Sequence, residues 1–250
     1  MCNRYKKVLL VFTVGALSTL IIGGCDSSGG GGGCPVPNLN VLVCDPETGG
    51  PFSLDINNPF FPVVPGSESV LEDGIRLVIT VLEETEVVAG VETRILVESD
   101  SENGLLIEVS RNFFAQAPDG TVCYFGEDVD ICPTGLDLVG PDEFLCDGEE
   151  PSHEGAWRAG VNEAVPGIFM PADPQVGDIF QQEVAPDIAE DLAEVTELGE
   201  PINVPAGMFD DTLELEECNP LEGGVRDTKV FVGTPPIGTA IDGDAVLVDF

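Results

Sequence analysis

The side chains able to do chemistry are few in kind. The 250-residue chain has 8 cysteines, a single histidine, and 46 aspartates and glutamates against 9 lysines and arginines. His153 lies in the polar run Gly148–Gly155, GEEPSHEG. As a catalytic base it would need a nucleophile and an orienting carboxylate beside it. No Gly-x-Ser-x-Gly or His-Glu-x-x-His pattern frames it, so it reads as an exposed loop histidine. The carboxylates of Glu127-Asp128-Val129-Asp130, of Asp210-Asp211 and of Asp242-Gly243-Asp244 could surround a hard cation. In so acidic a chain, clusters of this size arise by chance. The sequence therefore assigns no catalytic residue, no metal ligand and no cofactor, and the chain reads as a binding or structural protein before it reads as an enzyme.

The cysteines divide by position. Cys2 and Cys25 stand apart from Cys34, Cys44, Cys123, Cys132, Cys146 and Cys218. The absence of CxxC pairs disfavours zinc, and an even set points to disulfides in an oxidising compartment. Spacing favours Cys34–Cys44 closing a small loop and Cys132–Cys146 stapling another. Cys123 and Cys218, each in a strand-like run, would then join distant strands. Other pairings stay open.

The N-terminus has the layout of an export signal. Arg4, Lys6 and Lys7 are followed by an uncharged run, Val8–Ile22, shorter than the ~20 residues a membrane-spanning helix needs. It ends Ile22-Gly23-Gly24-Cys25, which resembles the lipobox of bacterial lipoproteins. That resemblance implies cleavage before Cys25, a diacylglycerol on its thiol, and a protein anchored by lipid on the extracytoplasmic side of a cell-envelope membrane. Asp26–Gly33, DSSGGGGG, then reads as a flexible tether.

All 46 acidic residues follow Cys25, where the basic ones are only Arg76, Arg94, Arg111, Arg158, Arg226 and Lys229. Such a surface repels nucleic acid and anionic lipid headgroups. It suits a saline habitat, where salt screens its self-repulsion. The chain is nonetheless rich in Val, Ile, Leu and Phe, so it folds.

The body reads as β-structure. Gly74–Leu82, Val91–Glu98, Leu105–Asn112 and Thr121–Phe125 are apolar or alternating runs separated by turn signals such as Asn103-Gly104 and Asp119-Gly120. Their regular spacing predicts an antiparallel meander. Further strands are expected at Asp178–Val184, Ala193–Leu198, Pro201–Val204, Thr212–Glu217, Thr228–Val232 and Ala245–Phe250. Ala185–Leu192 is the one candidate helix, with Pro186 and Asp187 at its start. Residues 165–177 read as a long ordered loop. The fold class expected is mainly β: a single antiparallel curved sheet or open barrel with at most one or two short helices.

A resemblance adds to this. Asn58-Pro59-Phe60-Phe61-Pro62 followed by Pro65-Gly66 is similar to the opening of a group of uncharacterised secreted bacterial β-rich proteins. Further matches are Tyr124–Asp128, Gly155–Gly160, Pro166–Ala172, Val176–Asp178 with Gln182-Glu183, and Val204–Phe209, so the likeness spans about residues 57–232. It implies a distant kinship with lipoprotein-carrier-type curved sheets that wrap an apolar cavity, and no established activity. It also implies that Cys123 and Cys218 replace aromatic residues of relatives, as a lineage-specific disulfide would. The two phenylalanines of the opening run are expected to plug one end of the sheet, and Phe209 to point toward the core.

The expected organisation is a lipoprotein signal peptide over 1–24, lipidated Cys25 with a Gly/Ser tether over 25–33, a disulfide-closed segment over 34–56 and an antiparallel β domain over 57–250. The expected role is a membrane-anchored, non-enzymatic β-domain that binds an apolar ligand or an envelope protein, or a structural one. The alternative is an envelope hydrolase using acidic residues. The expected partners are the membrane, through the lipid on Cys25, and such a ligand or protein, but no nucleic acid.

Overall fold

The computed structural model describes residues 33–233 and 238–250. The expected leader, Cys25 and nearly all of the expected tether lie outside them. The described chain is built on one sheet of thirteen strands, all paired antiparallel. These are β1 Glu68–Asp73, β2 Ile75–Val88, β3 Val91–Glu102, β4 Leu105–Gln116, β5 Val122–Ile131, β6 Trp157–Arg158, β7 Gly167–Met170, β8 Ile179–Gln181, β9 Leu192–Leu198, β10 Thr212–Asn219, β11 Val225–Val232, β12 Gly238–Asp242 and β13 Ala245–Asp249. Their spatial order is β6-β5-β4-β3-β2-β1-β13-β12-β11-β10-β9-β8, with β7 also on β5. Two meanders thus meet where the first strand pairs the last, Leu71 opposite Leu247. The sheet is mainly local hairpins, curved and not closed.

The turns are chemically dictated. Ala89-Gly90 and Asn103-Gly104 all have positive φ, the conformation a two-residue hairpin loop requires to match the twist of its strands. Along β2 the side chains of Leu77, Ile79 and Val81 are buried at every second position, the period of a half-buried strand. Among the described residues the helical content is one 3-10 turn, Val41–Cys44. No helix there is long and apolar enough to cross a membrane.

Several expectations are corrected. Ala185–Leu192 is no helix. Ala185 and Ala189 exchange both backbone hydrogen bonds across a tight loop, Asp187 has φ 61°, and Leu192 already belongs to β9. A left-handed residue in the first turn cannot propagate a helix. The 165–177 loop contains β7, with Ile168 and Met170 buried. Strands β1 and β12 were not expected at all.

The disulfides are Cys34–Cys218, Cys44–Cys123 and Cys132–Cys146. Only the last pairs as expected, and it staples the hairpin Leu136–Gly140/Glu143–Cys146. Cys34 does not close a loop with Cys44, nor does Cys123 join Cys218. Segment 34–56 runs across the sheet instead of folding on itself. At one end it is bonded to β10 through Cys34 and to β8 through Asn38 and Leu39, whose N–H groups donate to the Ile179 carbonyl at 2.8 and 3.0 Å. At the other end it is bonded to β5 through Cys44 and to β4 through a bridge between Ser53 and Gln116. The segment is a strap across the gap between the two ends of the sheet. Beneath it the ends nearly touch: the Val165 N–H donates to the Val184 carbonyl at 3.0 Å. Gly167 lies so close to Gln182 that a Cβ would fall 2.0 Å from the Gln182 carbonyl oxygen.

Phe61 is buried against the rings of Phe114, Phe169 and Phe231, which come from β4, β7 and β11. The opening run therefore fills the interior, with Phe60 half-buried behind it. Asn58, 2% exposed, holds the run in place. Its amide nitrogen donates to the carbonyls of Pro171 at 2.9 Å and Gly120 at 3.2 Å, and its oxygen accepts from the Phe60 N–H at 3.0 Å. Phe209 is buried as expected. Because Asn58→Ala leaves buried backbone groups unpaired, we expect denaturant unfolding to show a loss of about 2–4 kcal/mol. A loss under about 0.5 kcal/mol would show that the clamp is unimportant.

Candidate functional site

Two neighbouring pockets open among the strands. The wider, about 400 Å³, has Val70, Ile79, Val81 and Leu96 on one part of its wall and Ser67, Glu68, Ser69 and Asp249 on another, with exposed Phe250 beside them. The narrower, about 130 Å³, lies where the two ends of the sheet approach. Its walls come from both: Glu98, Asn112, Phe114, Tyr124 and Glu127 from β3–β5, and Gln182, Glu183, Asp191, Glu217 and Lys229 from the β8–β11 side. Phe61, Leu96 and Thr239 line both cavities, so a partly apolar compartment adjoins a more polar one.

A register shift builds the polar wall. Asn112 faces Glu127 and Phe114 faces Tyr124, so β5 carries one extra residue here. The bulge puts both Tyr124 and Glu127 on the interior, three positions apart, where a regular strand would turn one of them outward. Gly126, φ 131°, lets β6 approach: a Cβ would fall 2.3 Å from the Trp157 carbonyl oxygen. Trp157 pairs opposite Glu127 and stands edge-on to Tyr124, 5.3 Å between centroids. Arg158 points the other way. It grips Asp128 with two donors, reaches Glu86 Oε1 at 3.2 Å and lies over the Phe113 ring.

Lys229 is the lone lysine after the leader. Its ammonium lies 3.3 Å from Glu217 and 3.7 Å from Asp242, the residue directly opposite it on β12. Burial works against its charge, but Asp242, Glu217 and Glu98 outweigh it, and the group is held charged well above its usual range. The carboxyls move the other way. Burial pushes Glu98 up to about 7; Lys229 opposes the rise, and Asp242, Asp100 and Glu217 add to it. Glu127 rises to about 8, through burial first and then the charges of Glu98 and Glu108, against Tyr124 and Lys229. Glu183 is also held well above its usual range, through burial and then Glu127, Asp191 and Glu217. Asp191 is pushed to about 6 by burial and Glu217, with Lys229 opposing. One cation cannot hold so many carboxylates ionised in a poorly solvated space.

Hydrogen bonds order one side of this wall. The Tyr124 hydroxyl donates to Asn112 Oδ1 at 2.5 Å, and Asn112 Nδ2 reaches Ser110 Oγ at 3.2 Å and Glu98 Oε2 at 3.4 Å. The other side is incomplete. Gln182 Nε2 and Asp191 Oδ1 have no partner, and the Trp157 indole N–H stands beside Glu183 without closing a bond of normal geometry.

The acidic run Glu127–Asp130 is split by this arrangement. Glu127 faces the cavity, Asp128 binds Arg158, and Asp130 binds Arg111 at 3.1 Å and lies 3.3 Å from His153. His153 is half-exposed; its Nδ1 lies 2.7 Å from the Val129 carbonyl, the chief cause of its raised pKa. Among the described residues no three His, Cys, Asp or Glu side chains form a metal set. Sequence reasoning missed Glu98, Asp191 and Glu217 as interior groups. The available signals were a charge within the apolar run Arg94–Val97 to Glu98 and the solitary lysine. Tyr124, Glu127, Phe169, Gln182 and Glu183, all within the short motifs noted in the sequence, line this cavity, and Trp157 packs on Tyr124.

No family model matches this chain, and no curated protein or solved structure does either.

The raised carboxyls have a sign. Folded, Glu98 and Glu127 keep protons that the unfolded chain releases near its ordinary value of 4.5. Their contribution to stability is complete below that pH and is lost as pH climbs through 7 to 8. The melting temperature should fall between pH 5 and pH 9, and Glu98→Gln and Glu127→Gln should each flatten the fall. Identical pH slopes in parent and variants would contradict this.

Proposed function

We propose that this chain is a lipid-anchored protein of the bacterial cell envelope, and that its β domain is a non-enzymatic binding module for an amphiphilic ligand held in the sheet interior. The location rests on the export layout, the lipobox-like Ile22–Cys25 and a domain cross-linked by disulfides, which persist in oxidising compartments. The binding role rests on one observation above others. A partly apolar cavity of about 400 Å³ and a more polar one of about 130 Å³ share Phe61, Leu96 and Thr239. Binding sites combine an apolar wall with a few placed polar groups. An aliphatic segment fits against Val70, Ile79 and Val81, with a polar head beside the carboxyl groups.

The raised carboxyls also suit a hydrolase that needs a general acid. A polysaccharide needs a cleft open along its length, however, and the narrow cavity offers only about 130 Å³. The binding reading is therefore the stronger.

Mass measurement of the native N-terminus should find Cys25 carrying a diacylglycerol; an unmodified thiol would remove the anchor. Titration of the mature protein with the neutral dye Nile red should show one saturable site, displaced by decanol. Ile79→Glu should weaken it at least tenfold. Non-saturating uptake, or no displacement by decanol, would overturn the binding role.

A further inference from the structure

The narrow cavity has carboxyl groups in excess of cations. Glu98, Glu127, Glu183, Asp191 and Glu217 line it with one basic side chain, Lys229, already engaged by Glu217 and Asp242. Facing them are aromatic rings, Phe114 stacked on Tyr124 at 4.8 Å and Phe169 edge-on to Phe114 at the same distance. Aromatic faces beside carboxylates form the environment in which an ammonium ion is held without full hydration. Two wall groups are also left open. Asp191 Oδ1 is a buried acceptor with no donor, and Gln182, 4% exposed, has an amide N–H donor with no acceptor. Unpaired buried polar atoms are uncommon in folded proteins, and each asks for a partner.

We infer that the narrow cavity binds a small organic ammonium ion that also carries an oxygen acceptor, the chemistry of an amino alcohol. The ammonium lies against Glu127, Glu183 and Asp191 and the aromatic wall, and the oxygen accepts from Gln182. This rests on the reading of the interior as a ligand site and names the polar part of the ligand. Entry of the cation favours ionised carboxyls, so binding displaces protons that they otherwise hold. The groups concerned are Glu98, Glu127, Glu183 and Asp191, with Glu108, Glu217, Lys229, Asp242, Asp100 and Tyr124 facing them.

The test uses the mature protein and its sole tryptophan. Trp157 is 4% exposed, packs on Tyr124 and stands beside Glu183, so its fluorescence reports on the cavity. The probes are choline and 3,3-dimethylbutan-1-ol, which has the same shape without the charge. Choline should saturate one site at least tenfold more tightly than the alcohol, with affinity rising from pH 6 to pH 9. Glu127→Gln and Glu183→Gln should each weaken choline at least tenfold while keeping a cooperative melting transition. Glu143→Gln, on the distant hairpin, should change nothing. Lysophosphatidylcholine binding at least tenfold more tightly than choline would place the ammonium on a lipid headgroup; the reverse order would make it a free amine.

Equal affinity for choline and the alcohol would overturn the inference. So would the same response to potassium or calcium chloride at matched ionic strength. If choline gives no saturation at pH 9 while Nile red still binds, the ammonium assignment falls and the ligand role stands. If neither probe binds, both fall.

Discussion

The two ends of an open thirteen-stranded sheet stay together only if something crosses between them. Here the crossing is covalent. The strap over residues 34–56 is bonded to β10 by Cys34–Cys218 and to β5 by Cys44–Cys123, at opposite ends of the strand order. These links span 184 and 79 residues. In the chain-entropy account, loops of that size remove about 4–5 kcal/mol each from the unfolded state. Backbone pairing across the seam is slight by comparison: one isolated bridge, Val165 with Val184, and the close passage of Gly167 by Gln182.

The polar cavity follows from that closure. β5 and β6 bring Tyr124, Glu127 and Trp157 to the seam from one side. The chain after β8 brings Gln182, Glu183 and Asp191 from the other. Apart, these carboxyls would be ordinary hydrated acids. Together they share a space with one lysine, and burial is the first cause of every raised value among them. Such groups do little for stability, because uncompensated carboxyls cost free energy that apolar side chains of similar volume would not.

The strands were legible where local chemistry decides them. Asn103-Gly104 announces a hairpin whatever surrounds it, and the alternation in Leu77–Val81 marks a half-buried strand. β1 escaped notice because it is short and acidic at both ends, and its pairing with β13 depends on residues far along the chain. The disulfide partners were misread for a related reason. Spacing favours near neighbours such as Cys34 and Cys44, but the pairs are chosen by where the strap lies on the folded sheet. Ala185–Leu192 has helix-starting residues, and the return of the chain into β9 overrides them. At the cavity, the β5 bulge puts Glu127 on the same side as Tyr124, where plain alternation would separate them. With acids so abundant, nothing in the residue types separates Glu183 or Asp191 from the surface carboxylates.

The strap holds the seam together, and Trp157, close to that seam, reports on it directly. Replacing Cys34 and Cys218 by alanine cuts one anchor and leaves Cys44–Cys123 and Cys132–Cys146 in place. Acrylamide quenching of Trp157 should then rise several-fold and its emission shift to the red, while far-UV circular dichroism keeps the signal of the sheet. A variant with the sheet intact and Trp157 as shielded as in the parent would contradict the claim that this strap closes the site.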